Sequence, residues 1–191
     1  MNDTEIELKE LLAERAISGV LLTYCQGVDR RSWDQIRDCY HPGAIDSHGA
    51  YVGDVDGLIA WLRKRHDHVL SSVHHLSNVS VRFTADHRFA RVESYCLSMQ
   101  VVDPSSGDAF AGTGDEPVFT EVMSRYVDTF EHREDGGWRI WRRDCVFDWM
   151  RRRNTGDFVE IDKSWTPARR DEHDLLFAPL PPTDQEPSGR P

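Results

Sequence analysis

At the start of the chain apolar residues recur at helical spacing: Ile6, Leu8, Leu11, Leu12, Ala16, Ile17, Val20, Leu21 and Tyr24. The spacing predicts one long amphipathic helix, roughly 35 Å at about 1.5 Å per residue. Thr4-Glu5-Ile6-Glu7 reads as its capping box, and Gly27 as its stop. Ser32-Trp33-Asp34-Gln35 predicts a second, short helix that ends at Tyr40-His41-Pro42-Gly43, because proline cannot continue it. Ala44 to Val52 reads as a short strand and turn, with Tyr51 bracketed by Gly49 and Gly53. A third helix starts near Asp54 or Asp56 and carries Leu58, Ile59, Leu62 and Val69.

After Ser71-Ser72 the period changes to two. Val79, Val81 and Phe83 alternate with Asn78, Ser80 and Arg82 along a strand, and Asp86-His87 reads as a turn. Phe89 to Val102, Val118 to Glu131 and Trp138 to Met150 are further strands. Asp103 to Pro117 has no period and reads as a mobile loop; Glu134-Asp135-Gly136-Gly137 is a hairpin signal. Helices first and antiparallel strands afterwards predict an α+β fold. The expected architecture is a cone-shaped barrel of a curved, mainly antiparallel sheet packed on three N-terminal helices, enclosing a cavity. Residues 1–153 form this domain. Residues 154–191 are a C-terminal extension, partly disordered, in which Leu175 to Pro179 is an apolar island that docks on its own domain or on a neighbour.

Composition narrows the partners. The net charge is −10 and no long basic run exists, which argues against nucleic acid. No stretch is long and apolar enough to span a bilayer, and the acidic N-terminus lacks a signal-peptide plan, so a cytoplasmic protein is expected. Cys25, Cys39, Cys96 and Cys145 are not closely paired and read as free thiols in apolar patterns.

The candidate chemistry lies around Tyr24-Cys-Gln-Gly-Val-Asp29, which closes the first helix. A carboxylate there meets the negative end of the helix dipole, so if buried it needs a partner. His74 and His75 open a strand and one of them must point inward; in an extended strand His74 shares a face with Leu76 and Asn78. An Asp29–His74 acid/base pair is one reading, and Asp29 as a simple helix-end cap is the other. His66 and His68 read as surface residues at a helix end, and no metal site is expected. On the last strand, Arg139, Trp141, Arg143, Cys145, Phe147 and Trp149 read as one face. Arg143 in its middle needs an anion: either a substrate, or a salt bridge to Glu93, Glu121 or Asp144. Neither a nucleophile elbow nor a nucleotide-binding loop is present, so no cofactor is expected.

With these motifs in view, residues 5 to 152 resemble the SnoaL-like branch of the nuclear transport factor 2-like superfamily. The branch includes scytalone dehydratase, hexachlorocyclohexane dehydrochlorinase and bile acid 7-alpha-dehydratase. Tyr24-x4-Asp29 with Trp33 behind it, Gly49-x-Tyr51-x-Gly53, His74-x3-Asn78 and the Trp138-to-Arg143 strand carry the resemblance. It implies a catalytic dyad at Asp29 and His74, a tyrosine of the dehydratase kind at Tyr24, and a pocket arginine at Arg143. The expectation that follows is a cofactor-free lyase acting on a hydrophobic, cyclic small molecule. Its catalytic groups would be His74, Asp29, Tyr24 and Arg143, with Tyr51, Asn78, Trp141 and Phe147 binding substrate. The alternatives are an isomerase or polyketide cyclase with the same dyad, or a non-catalytic ligand-binding or oligomeric subunit. A homo-oligomer, dimer or trimer, is expected because an open curved sheet needs cover.

Overall fold

The computed structural model describes residues 2–106, 114–134 and 137–180. The chain runs through α1 (Asp3–Arg30), α2 (Trp33–Asp38), β1 (Tyr40–His48), β2 (Tyr51–Asp54) and α3 (Val55–His66). A long meander follows: β3 (Val69–Phe83), β4 (Phe89–Val102), β5 (Val118–Arg133) and β6 (Gly137–Asn154). The sheet order is β2-β1-β6-β5-β4-β3. Only β1 and β6 pair in parallel; every other neighbouring pair is antiparallel. The result is the expected α+β architecture, with three helices on a curved, mainly antiparallel sheet. The cone is not closed, since β2 and β3 remain its two edges. No helix among the described residues is long and apolar enough to cross a membrane.

Local chemistry explains where the elements differ from their sequence signals. The capping box of α1 is Asn2 and Glu5, whose side chains bond each other's backbone N–H at 2.9 Å, rather than Thr4 and Glu7. Gly27 does not stop the helix. A Cβ there would lie 2.8 Å from Ile36 Cγ1, so the glycine lets α2 pack directly on α1. The helix continues to Arg30 and ends at Arg31, which takes the left-handed conformation at φ 58°. Arg31 and Ser32 N–H then satisfy the Val28 and Gly27 carbonyls. That additional turn places Asp29 inside the helix and buries it. The buried stripe of α1 is Ala13, Ile17, Leu21, Tyr24 and Val28, whereas Leu8, Leu11 and Leu12 face outward. Cys25, Cys39, Cys96 and Cys145 are all free thiols, the first three buried and Cys145 half-buried.

Bulges decide which strand residues face inward. On β6, Thr129 pairs with Arg142 but Phe130 pairs with Ile140, so Trp141 is an extra residue. Asp148 is another, between the pairs Ser124–Phe147 and Met123–Trp149. Each inserted residue shifts the side-chain alternation by one. Ile140, Arg143 and Cys145 therefore face the core, while Trp141 and Trp149 lie exposed. The sequence reading of one continuous face from Arg139 to Trp149 fails for this reason. On β3 the pairing shifts between Ser77 and Ser80, and Asn78 there has φ 49°.

Within the stretch expected to be a loop, residues 107–113 lie outside the described residues, and so do Asp135 and Gly136 of the expected hairpin and residues 181–191. Arg133 and Gly137 do pair across that hairpin. Beyond β6, the apolar island forms a short 3-10 turn at Leu175–Phe177, whose side chains remain exposed. The extension meets the domain through Phe158 against Phe119, through Asp174 at 3.8 Å from Arg30, and through Arg170. The Arg170 guanidinium donates to the Asp29 carbonyl at 2.9 Å and to the Val69 carbonyl.

Candidate active site

The end of α1 and the start of β3 converge on one carboxylate. Asp29 Oδ1 accepts from Ser72 Oγ at 2.8 Å and lies 2.6 Å from His74 Nδ1. Asp29 Oδ2 accepts from the His74 backbone N–H at 2.9 Å. These three donors offset the unfavourable position at a helix C-terminus. Burial raises the Asp29 pKa, but the His74 and Ser72 bonds outweigh it and hold the carboxyl below its usual range. For His74 burial works downward, and the Asp29 bond and charge win, so its pKa lies above the usual imidazole value.

Behind Ser72 the polar chain continues. Gln100 Nε2 donates to Ser72 Oγ at 3.3 Å, and Arg65 Nη2 donates to Gln100 Oε1 at 2.6 Å. With Nδ1 facing the carboxylate, the imidazole keeps Nε2 as its second nitrogen, and no described protein group bonds it. His75, the other inward candidate, is exposed.

A cavity of about 70 Å³ lies between α1, α3 and the concave face of the sheet. His74 lines it, together with Tyr24 and Val28 from α1 and Trp61, Leu62, Arg65 and His66 from α3. Ser98 and Gln100, Val122, Ser124 and Tyr126, and Cys145 and Phe147 supply the sheet wall. Its volume is well below the roughly 300–1,000 Å³ of ligand clefts. Phe147 and the Gly49 turn meet at its edge, with the Phe147 ring 3.0 Å from where a Gly49 Cβ would stand.

The expected site residues divide between this cavity and other places. His74, Tyr24 and Phe147 line it, and Asp29 stands directly behind His74. Arg143 is not a lining residue. It is fully buried and makes a bidentate ion pair with Asp128, at 2.9 and 2.7 Å, not with Glu93, Glu121 or Asp144. Its guanidinium lies 4.3 Å from the Tyr24 ring centre and 4.1 Å from that of Tyr126, in the corner made by two rings whose planes stand at 83°. Trp141 is turned outward by its bulge, under Arg133 at 5.0 Å. Asn78 is exposed on the bulge of β3. Tyr51 is not a lining residue; it stacks on Trp61, and its hydroxyl donates to the Asp54 carbonyl at 2.6 Å.

Several residues of the site escaped the sequence reading. His66, expected at the surface, is 1% exposed and lines the cavity. His48 lines it as well, with Nδ1 3.3 Å from Asp46 Oδ1, while Tyr40 donates to Asp46 Oδ2 at 2.6 Å. Asp128 had a visible signal, because it is an acid in phase with the buried Tyr126 and Phe130. Arg170 had none, in a polar segment without period. Among the described residues no cluster of three or more His, Cys, Asp or Glu could hold a metal ion.

A three-helix, curved-sheet fold with an acid and an imidazole at the cavity base defines a nuclear transport factor 2-like α+β protein of the SnoaL-like branch. The chain belongs to the SnoaL-like domain family, whose family model matches residues 9–144. Among solved structures it is similar to hexachlorocyclohexane dehydrochlorinase LinA-type3 from Novosphingobium barchaimii (14% identity, TM-score 0.68), covering 81% of this chain and 99% of that one. A candidate scytalone dehydratase from Novosphingobium aromaticivorans aligns at 20% identity and TM-score 0.61, covering 79% of this chain and 97% of the other. ActVI-ORFA from Streptomyces coelicolor aligns at 16% identity and TM-score 0.54, covering 69% and 95%. At these identities the likeness is one of fold. Compared by sequence, the chain matches no curated protein.

Proposed function

We propose that the protein is a cofactor-independent lyase that eliminates water or a comparable leaving group from a hydrophobic, cyclic small molecule. The observation that carries this reading is the orientation of His74: Nδ1 on Asp29, and Nε2 bonded by no group among the described residues, on a side chain that lines the cavity. Nε2 removes a proton from a carbon beside a carbonyl. The C–H electron pair becomes the new C=C bond and the β-hydroxyl leaves. The proton held by His74 returns to that hydroxide, so water departs and the protein is unchanged. Asp29 fixes the tautomer and supports the transient imidazolium.

Tyr24 supplies a hydrogen bond to the developing oxygen charge. Burial and the Asp46 charge raise its pKa well above the usual phenol value, despite Arg143, so it keeps its proton. Arg143 acts through the two tyrosine rings it touches and not on substrate. Val28, Leu62, Trp61 and Phe147 supply apolar walls. A dehydrochlorinase and a dehydratase, the kinds of enzyme named for two structural neighbours, both act by elimination, which supports this reading.

The test is a panel of cyclic β-hydroxy ketones followed by ultraviolet absorbance of the enone. Turnover by the wild type that falls by about 10²–10⁴ in His74→Ala supports the reading. Turnover that survives His74→Ala overturns it. The narrow cavity favours a second reading, a binding module for a smaller ligand. That module would show saturable binding and no turnover. Exposed Val73, Val79, Val146, Trp149 and Met150 support the homo-oligomer, which light scattering would report as a mass above one chain.

A further inference from the structure

His66 is the last residue of α3, 1% exposed, with the Trp33 ring edge-on at 6.1 Å. Its Nδ1 lies 2.6 Å from Arg170 Nη2, and its Nε2 lies 3.5 Å from Arg65 Nη1. Both neighbours are guanidinium groups, which only donate. A neutral imidazole has one lone pair and one N–H, and an imidazolium has no lone pair. A charged His66 would set two N–H groups against two cations, so the ring is neutral. The lone pair goes to the shorter contact, at Nδ1. Nε2 then carries the hydrogen. Arg65 cannot accept it, and no described protein acceptor bonds it.

From this geometry we propose that His66 is a hydrogen-bond donor into the cavity, held as the Nε2–H tautomer by Arg170 of the C-terminal segment, and that it binds an oxygen atom of the ligand. The proposal rests on the reading of the cavity as a ligand site, and it deepens that reading. His74 and His66 line the same small space in opposite roles. His74 presents a lone pair, because its Nδ1–H faces a carboxylate. His66 presents an N–H, because its Nδ1 faces a guanidinium. A carbonyl or hydroxyl oxygen fits His66, and the C–H to be broken fits His74.

Burial and the Arg65 and Arg170 charges push the His66 pKa down to about 2, which agrees with a ring that stays neutral. The same guanidinium that polarises His66 also bonds the Asp29 carbonyl at 2.9 Å. The C-terminal segment thus reaches two residues of the site through one side chain. Its role is that of a positioning residue.

The experiment is ring-¹⁵N histidine spectroscopy on the full chain. His66 should show an unprotonated Nδ1 and a protonated Nε2, unchanged between pH 8 and pH 5. A protonated Nδ1, or titration to the imidazolium in that range, overturns the proposal. Arg170→Gln should shift His66 toward a mixture of tautomers, and an unchanged pure Nε2–H form would show that Arg170 does not set it.

Cyclohexanone is the binding probe. It should move the His66 Nε2–H resonance, and His66→Leu should bind it about 2- to 10-fold more weakly, the loss of one neutral hydrogen bond. A His66 signal that stays fixed as cyclohexanone is added also overturns the proposal. None of these readouts needs turnover. Failure of the lyase reading, seen as activity that survives His74→Ala, is therefore separate from failure here.

Discussion

The Asp29–His74 pair and the Arg143–Asp128 pair are both buried acid–base couples, yet their surroundings differ. Arg143 and Asp128 are completely buried, face each other bidentately, and are closed in by Tyr24 and Tyr126. A guanidinium does not release its proton in a protein, and here Asp128 outweighs burial and pushes its pKa further up. His74 has an acid on one nitrogen only, and it lines a cavity. The comparison teaches that buried charge does not mark a reactive group. A reactive group also needs a titratable proton and an unbonded atom facing space.

The largest effect is expected where the sealed pair is broken. Arg143→Met leaves Asp128 and Asp46 buried near one another without a cation, and should lower stability by about 3–5 kcal/mol in urea unfolding. The double variant Arg143→Met with Asp128→Leu should recover most of that loss, because no unpaired charge remains at that pair. A single variant as stable as the wild type would show that the pair is not an ion pair in solution.

The open pair should respond in activity more than in stability. His74→Gln removes the base and should lower kcat/KM by about 10²–10⁴ on any substrate the panel yields. Its loss of stability should be about 1–2 kcal/mol, since Ser72 and the backbone N–H still hold Asp29. A drop in activity no larger than the loss of folded protein would place His74 with Arg143 as a structural group.

Acid sharpens the contrast between the histidines. The His74 pKa is raised, so kcat/KM should fall tenfold per pH unit below it and level off above it. Asp29→Asn should move that limb to lower pH. The stability that His74 contributes is fully present below about pH 6.5 and is lost as pH rises through its folded value. His66 has the opposite sign. Between about 2 and the usual value near 6.5, the unfolded chain binds a proton that the folded ring refuses. Stability should therefore fall by about 1.4 kcal/mol per pH unit on acidification, and His66→Asn should flatten that slope. An equal slope in that variant would assign the proton to another group.

The Asp29–His74 hydrogen-bonded pair was legible because Asp29 lies near the end of one periodicity and His74 near the start of another. Asp29 follows an apolar helix stripe, and His74 lies in the first half of β3, within the strand that starts at Val69. The α+β order was legible for the same reason. Three features were hidden from periodicity. A bulge adds one residue without changing composition, and so Trp141 and Asn78 read inward on strands that place them outward. A burial that depends on a distant partner leaves no local mark, and so His66, covered by Trp33 and bonded by Arg170, read as a surface residue. Glycine has two uses, and Gly27 allows close packing where a stop was expected.

The smallest effect tests that bulge directly. Trp141 and Phe147 share a strand and an apparent phase, yet only Phe147 lines the cavity. Trp141 covers Gly43 and carries Arg133 on its ring, so Trp141→Ala should cost about 1 kcal/mol of stability from the lost cation–π contact and covered surface. Its kcat/KM should change less than twofold. Phe147→Ala, by contrast, removes a wall that a ligand must displace or touch, and should change KM by about tenfold with little change in unfolding midpoint. The direction of that change carries further information. A lower KM would mean that Phe147 and the Gly49 turn mainly close the cavity, so that truncation removes the work of opening it. A higher KM would mean that the ring contributes apolar contact once the ligand is in place. Equal effects of the two substitutions on KM would return Trp141 to the cavity face and remove the bulge from the account of this strand.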